Sequence, residues 1–167
     1  MSFLNAGQRR NEYSRNHCAS FKASFVEYGV FDPMFPLIVA ATNKQLNPYS
    51  EEYFRRTREA FLGGKLEEIR PAGPKREQGF KDLKAKLDEL SPLMDKNGEG
   101  KLFVMGDTIS FADFLISSAF FFFKIMVPDE EWKEVASWNG GRWGKHFEAL
   151  KKYEAGVGDE TELWKPE

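Results

Sequence analysis

Apolar residues in this chain recur every three to four positions, segment after segment, and no stretch alternates long enough for a half-buried strand. Cys18, Phe21, Phe25 and Tyr28 fall at i, i+3, i+7 and i+10, one face of a helix that starts near His17. Gly29, Pro33 and Pro36 interrupt it, and a second short helix is expected from Pro36 to Lys44. Asn47-Pro48-Tyr49-Ser50 reads as a turn, with Ser50 capping a helix from Glu51 that Gly63-Gly64 ends. A short helical piece, Lys65 to Arg70, stops at Pro71. From Pro74, the stripe Phe80, Leu83, Leu87, Leu90 and Met94 predicts a longer helix, kinked near Ser91-Pro92.

The next segment carries the strongest local signal. In Met105-Gly106-Asp107-Thr108-Ile109-Ser110-Phe111-Ala112-Asp113, a tight turn feeds a reciprocal helix cap. Ser110 can accept from the Asp113 N–H while the Asp113 carboxylate reaches back to the Ser110 N–H, and Ile109 precedes the cap as a hydrophobic staple. The helix this opens, Phe111 to Met126, is apolar nearly all round and is expected in the middle of a bundle. A break follows at Val127-Pro128, then a short helix around Trp132 and Val135 and a turn at Trp138-Asn139-Gly140-Gly141. A last amphipathic helix carries Trp143, Phe147 and Leu150. The fold class is all-α, a bundle of about six or seven helices with no internal repeat. Residues 1–16 read as a polar tail, 17–156 as the helical domain and 157–167 as an acidic tail.

Composition narrows the function classes. A chain of 167 residues fits one domain. The single cysteine forbids an intrachain disulfide and fits a reducing, cytoplasmic setting, and no apolar leader segment is evident. Lysines and arginines number 24 against 26 acids, which speaks against nucleic acid or an anionic membrane as partner. The Phe-rich helix is too short to span a bilayer and holds Asp113 and Lys124. Sixteen phenylalanines and four tryptophans call for a large aromatic core or an aromatic-lined cavity.

Gly106-Asp107 followed by Ser110-Phe111-Ala112-Asp113 resembles the capping box and staple of the glutathione transferase C-terminal domain, which writes Asp where the generic box has Glu or Gln. Ser50-Glu51-Glu52-Tyr53-Phe54-Arg55-Arg56-Thr57-Arg58-Glu59, Gly64-Lys65-Leu66-Glu67-Glu68, Lys75-Arg76-Glu77 and Trp138-Asn139-Gly140-Gly141-Arg142-Trp143 are similar to the same domain of fungal transferases related to bacterial β-etherases. The resemblance is collinear over most of the chain and implies that domain's helical bundle. Such transferases also have a thioredoxin-like domain. It supplies the Ser, Cys or Tyr that activates the glutathione thiol, a cis-proline and an acidic-Ser pair. The residues ahead of the matching region have no βαβ pattern, so the resemblance carries over no catalytic residue and no cofactor. Glutathione is not expected to bind tightly, and glutathione transfer by this chain alone is not expected.

In that family the first helix of the domain lines the pocket for the electrophilic substrate. The resemblance thus makes Phe21, Phe25, Tyr28, Phe31 and Met34 candidate ligand-binding residues for a hydrophobic or aromatic small molecule, against ordinary core packing. Two alternatives stand beside this reading. The same face can dock a second subunit or another protein, because an uncovered apolar patch needs a cover. The aromatic pocket can also have acquired new chemistry, or be completed by a separate thioredoxin-like chain. Other residues weigh less. Cys18, beside His17 and Arg15, is better explained by burial than by reactivity. His146 reads as a surface residue, and His17, His146 and Cys18 make no four-ligand zinc site. Arg55, Arg56 and Arg58 read as a solvated face paired with Glu51, Glu52 and Glu59 rather than an anion site. Asp113 is a cap rather than a general acid.

Overall fold

The computed structural model describes residues 29–69 and 73–156, and among them six helices and no strand. They are α1 (Phe31–Asn43), α2 (Pro48–Leu62), α3 (Leu66–Ile69), α4 (Pro74–Met94), α5 (Phe111–Met126) and α6 (Asp129–Leu150). Short 3₁₀ turns follow α4 (Asp95–Asn97) and α6 (Lys151–Gly156). Among the described residues, no helix is long and apolar enough to cross a membrane. The helix expected from His17 to Tyr28 lies outside the described residues.

Two helix starts differ from the sequence reading, and both differences have a local cause. α1 begins at Phe31, five residues before the expected Pro36, with both prolines inside it. Pro33 falls in the first turn, where its absent N–H has no helical acceptor anyway, so only Pro36 forfeits a helical bond. α2 is capped by Asn47 rather than Ser50: the Asn47 Oδ1 accepts from the Ser50 N–H at 2.9 Å, and Pro48 takes the first helical position. Pro is preorganised for that position, and Asn is a strong cap. The expected stop holds, with Gly63 in the left-handed conformation at φ 72°.

The core is built by α1, α4, α5 and α6. α1 packs on α4 and α5, and α6 packs on both α4 and α5. The predicted α4 stripe of Phe80, Leu83, Leu87, Leu90 and Met94 is buried throughout, against Leu37, Ile116, Phe120, Phe123, Trp143 and Phe147. Helices α1 and α4 approach so closely at Gly79 that a methyl group there would stand 3.1 Å from Leu37 Cδ2. A smaller cluster of Val39, Ala40 and Leu66, with Phe54 and Leu62 against it, seats α2 and α3 on α1.

α6 turns a corner at the expected place. Trp138 is extended, and Asn139, Gly140 and Gly141 are successively left-handed, with φ of 52°, 70° and 77°. Three such residues in a row favour two glycines, and the Asn is held by its side chain. Its Nδ2 donates to Asp88 at 2.8 Å and its Oδ1 accepts from Trp143 Nε1 at 2.7 Å.

α5 corrects one expectation. It is apolar all round but not enclosed all round. Ala112, Ile116, Phe120 and Phe123 enter the core, while Phe111, Phe114, Phe121 and Ile125 are exposed along the other side.

Candidate functional site

Among the described residues, a fully buried polar pair lies where α5 begins. Ser110 and Asp113 form a capping box: Asp113 Oδ2 accepts from the Ser110 N–H at 2.8 Å and from the Ser110 hydroxyl at 2.7 Å. Ile109 precedes it, half-buried. The second carboxylate oxygen does work the cap does not require. Asp113 Oδ1 accepts from the Val104 N–H at 2.8 Å and stands 3.0 Å from His146 Nε2. One buried carboxylate thereby holds the loop before α5, the start of α5 and the second half of α6.

His146 is therefore not a surface residue: it is fully buried, with Phe103 edge-on to its ring at 6.0 Å. An amphipathic helix turns one face inward, and His146 lies on that face because Asp113 gives it a partner there. With Asp113 ionised, the shared proton sits on Nε2, and Nδ1 is buried with no partner among the described residues. Burial raises the proton affinity of Asp113, but the bonds from His146, the Val104 N–H and Ser110 outweigh it and hold the carboxyl below its ordinary range. The pair looks like a base and its orienter. Neither residue lines a described cavity, and their bonds tie three segments of the bundle together.

Of the five residues proposed for the first-helix pocket, Phe21, Phe25 and Tyr28 lie outside the described residues, as do His17 and Cys18. The other two separate. Met34 is buried in the core and Phe31 is exposed, and they line no common cavity among those described. Arg55 is engaged by carboxylates, at 3.9 Å from Glu51, 3.2 Å from Glu59 and 2.9 Å from Glu67. Of the three arginines expected to pair with carboxylates Arg55 does so, whereas Arg56 and Arg58 lie over the rings of Tyr53 and Phe54. Among the described residues no group of three or more His, Cys, Asp or Glu is placed to hold a metal ion.

Several surface recesses lie among the described residues, and three are apolar enough to consider. One of about 490 Å³ lies between α1 and α4, lined by Asp32, Pro33, Pro36, Lys75, Gln78 and Lys86 among others. One of about 450 Å³ lies between α4 and α6, where Phe80 and Trp138 form an aromatic floor under Arg76, which is paired with Glu131. The third, about 240 Å³, lies between α5 and the turn after α6. Its walls are Phe114, Phe121, Leu150 and Tyr153, with Ser117 and Ser118 between them and Glu154 at the rim. Phe114 and Tyr153 meet edge to face at 5.4 Å, and Phe121 is 44% exposed. This groove was missed in the sequence. Its signal was present in the outward spacing of Phe114, Phe121 and Ile125, opposite Ile116, Phe120 and Phe123.

Comparison with known proteins places this architecture. The family model for the glutathione S-transferase C-terminal domain matches residues 19–153. The glutathione S-transferase-like protein ustS of Aspergillus flavus is 28% identical over 138 residues, which are 78% of this chain and 49% of that protein. Among solved structures, the glutathione S-transferase CsGST63524 of Ceriporiopsis subvermispora, crystallised with glutathione, is 36% identical. It superposes with a TM-score of 0.76, covering 84% of this chain and 56% of that one. Glutathione transferase GSTFuA3 of Phanerochaete chrysosporium is 34% identical with a TM-score of 0.73, over 84% of this chain and 55% of its own. The chain thus spans about half the length of the relatives it matches. It belongs to the glutathione S-transferase family, and residues 19–153 are that family's C-terminal helical domain.

Proposed function

We propose that this domain binds a hydrophobic, aromatic small molecule, and that the groove between α5 and the turn after α6 is where it does so. One observation carries the reading: Phe114, Phe121 and Tyr153 stand partly open to solvent around an apolar recess of about 240 Å³, room for a single aromatic ring. Ring edges and faces on three sides offer offset and edge-to-face packing, and the Ser117 and Ser118 hydroxyls can orient a polar substituent. Of the residues expected from the resemblance, Phe21, Phe25, Tyr28 and Phe31 remain candidates for a second contact surface on the same ligand class, whereas Met34 is core.

A second reading rests on Ile125. It is 53% exposed and lies beyond the groove, so the apolar side of α5 continues past what a small ligand covers. Such a stripe suits a second folded body, and a glutathione-holding domain docked there would complete a transferase. The glutathione in the crystals of CsGST63524 is consistent with this reading. In both readings the domain supplies the apolar half of a site and does not grip glutathione itself.

Titration with an apolar fluorescent probe, 8-anilinonaphthalene-1-sulfonate, tests the first reading. Saturable enhancement is expected, weakened about tenfold by Phe121→Asp, as burying a charge in an apolar contact requires. Ile125→Asp separates the two readings. It should spare probe binding and abolish association with a thioredoxin-type domain of a related transferase supplied in trans.

A further inference from the structure

We propose that the recess between α4 and α6 is a binding site for an alkylated organic ammonium ion. The recess holds about 450 Å³, enough for a trimethylammonium head and the chain that carries it. Its floor is aromatic: Phe80 and Trp138 stand nearly perpendicular, at 82°, with ring centroids 6.3 Å apart. Aromatic faces attract cations. The floor shows this already, because the Arg76 guanidinium lies over Phe80, 5.5 Å from its centroid, and is held there by Glu131. An indole attracts a cation more strongly than a phenyl ring does, yet among the described residues no Lys or Arg lies over Trp138.

The walls give the sign of the ligand's charge. α4 presents Glu77, Lys81 and Lys84 at i, i+4 and i+7, and α6 presents Glu131 and Glu134 at i and i+3. Two cations of the recess are already matched, Arg76 by Glu131 and Lys84 by Asp88 at 2.7 Å. Glu77 on one wall and Glu134 on the other are exposed and enter no ion pair among the described residues, and neither does Lys81. The balance left is two carboxylates against one ammonium, and that ammonium sits on a long exposed side chain that can turn to water. An anion would meet both unmatched carboxylates. A bare metal ion would find no ligand set among the described residues and would gain nothing from an apolar floor. An ammonium whose charge is spread over methyl groups uses the whole recess, with its methyls on the rings and its charge answered by a carboxylate from each wall. This site is separate from the α5 groove and stands or falls independently of it.

Choline, its neutral isostere 3,3-dimethylbutan-1-ol and the anion 3,3-dimethylbutanoate present heads of one shape and different charge. Parallel NMR titrations of the full chain with the three test the site. The readout is the Trp138 indole N–H resonance, assigned by its loss in Trp138→Phe. Choline should shift it saturably and bind about tenfold tighter than the alcohol, and the carboxylate should not saturate. The double variant Glu77→Gln/Glu134→Gln should weaken choline about tenfold and leave the alcohol unchanged, whereas Lys81→Gln should strengthen choline about threefold. Far-UV circular dichroism should be the same for these variants, because all three side chains are exposed. Phe121→Asp, in the α5 groove, should leave choline binding as it is. Choline that does not saturate, or binds no tighter than the alcohol or the carboxylate, overturns the proposal. So does choline binding that is indifferent to the glutamates and Lys81, or that is lost with Phe121→Asp.

Discussion

His146 Nε2 stands 3.0 Å from Asp113 Oδ1, and both side chains are completely buried. The two residues are 33 positions apart, and their contact ties the second half of α6 to the cap of α5. A helix cap is usually a local device. Here it is also the acceptor for a distant histidine and for the Val104 N–H, so one carboxylate fixes the relative placement of three segments.

The cost of breaking it should exceed that of a cap alone. Losing a capping interaction at a helix start costs about 1 kcal/mol. Asp113→Ala also strands the Val104 N–H and His146 Nε2, and each buried unsatisfied donor costs about 1–3 kcal/mol. A total loss of about 3 kcal/mol or more in urea unfolding is expected. His146→Phe should cost less, and the double variant should cost less than the sum of the singles, because the two share one interaction. Simple additivity would show that the pair is not coupled.

The same pair sets an acid limit. The native Asp113 carboxyl is held below its unfolded value, so the unfolded chain takes up the proton first as pH falls. The stabilisation is complete above about pH 4 and is lost as the pH drops through the native value. Asp95, bonded by Arg142, and Asp88, bonded by Lys84, shift the same way and contribute in the same window. The urea midpoint should therefore fall steeply below about pH 4, and the slope should be shallower in Asp113→Asn. An unchanged slope would place the acid sensitivity elsewhere.

Arg142 should matter through the end of α4. It donates to the Ser91 carbonyl at 2.6 Å and to Asp95 at 2.5 Å while largely buried. Ser91 holds one of the last carbonyls of α4, which the helix cannot satisfy itself, and a cation there also complements the helix dipole. Arg142→Ala should cost about 1.5–3 kcal/mol. Arg142→Lys should recover only part, since one ammonium replaces a two-pronged donor. Full recovery by lysine would reduce the role to charge.

What was legible in the sequence was what is decided locally. The α4 stripe, the box at Ser110 and Asp113, and the glycine corner at Trp138–Gly141 each state their structure within a few residues. The start of α1 was misplaced because a proline reads as a breaker, whereas in a first helical turn it breaks nothing. Ser50 reads as a cap because serine is a good one, but Pro48 at the first helical position moves the cap to Asn47. His146 was misread because its burial depends on a partner far along the chain. The groove was missed for a related reason. An all-apolar helix does not say which side will be covered, and Tyr153 comes to Phe114 only after α6 has turned its corner.

The central functional claim is that this domain holds an apolar ligand on α5 and does not hold glutathione. Parallel calorimetric titrations of the same chain with 8-anilinonaphthalene-1-sulfonate and with glutathione test it most directly. Saturable heat with the apolar probe, diminished by Phe121→Asp, and none with glutathione is the expected result. Saturable heat with glutathione, or probe binding untouched by Phe121→Asp, would contradict it.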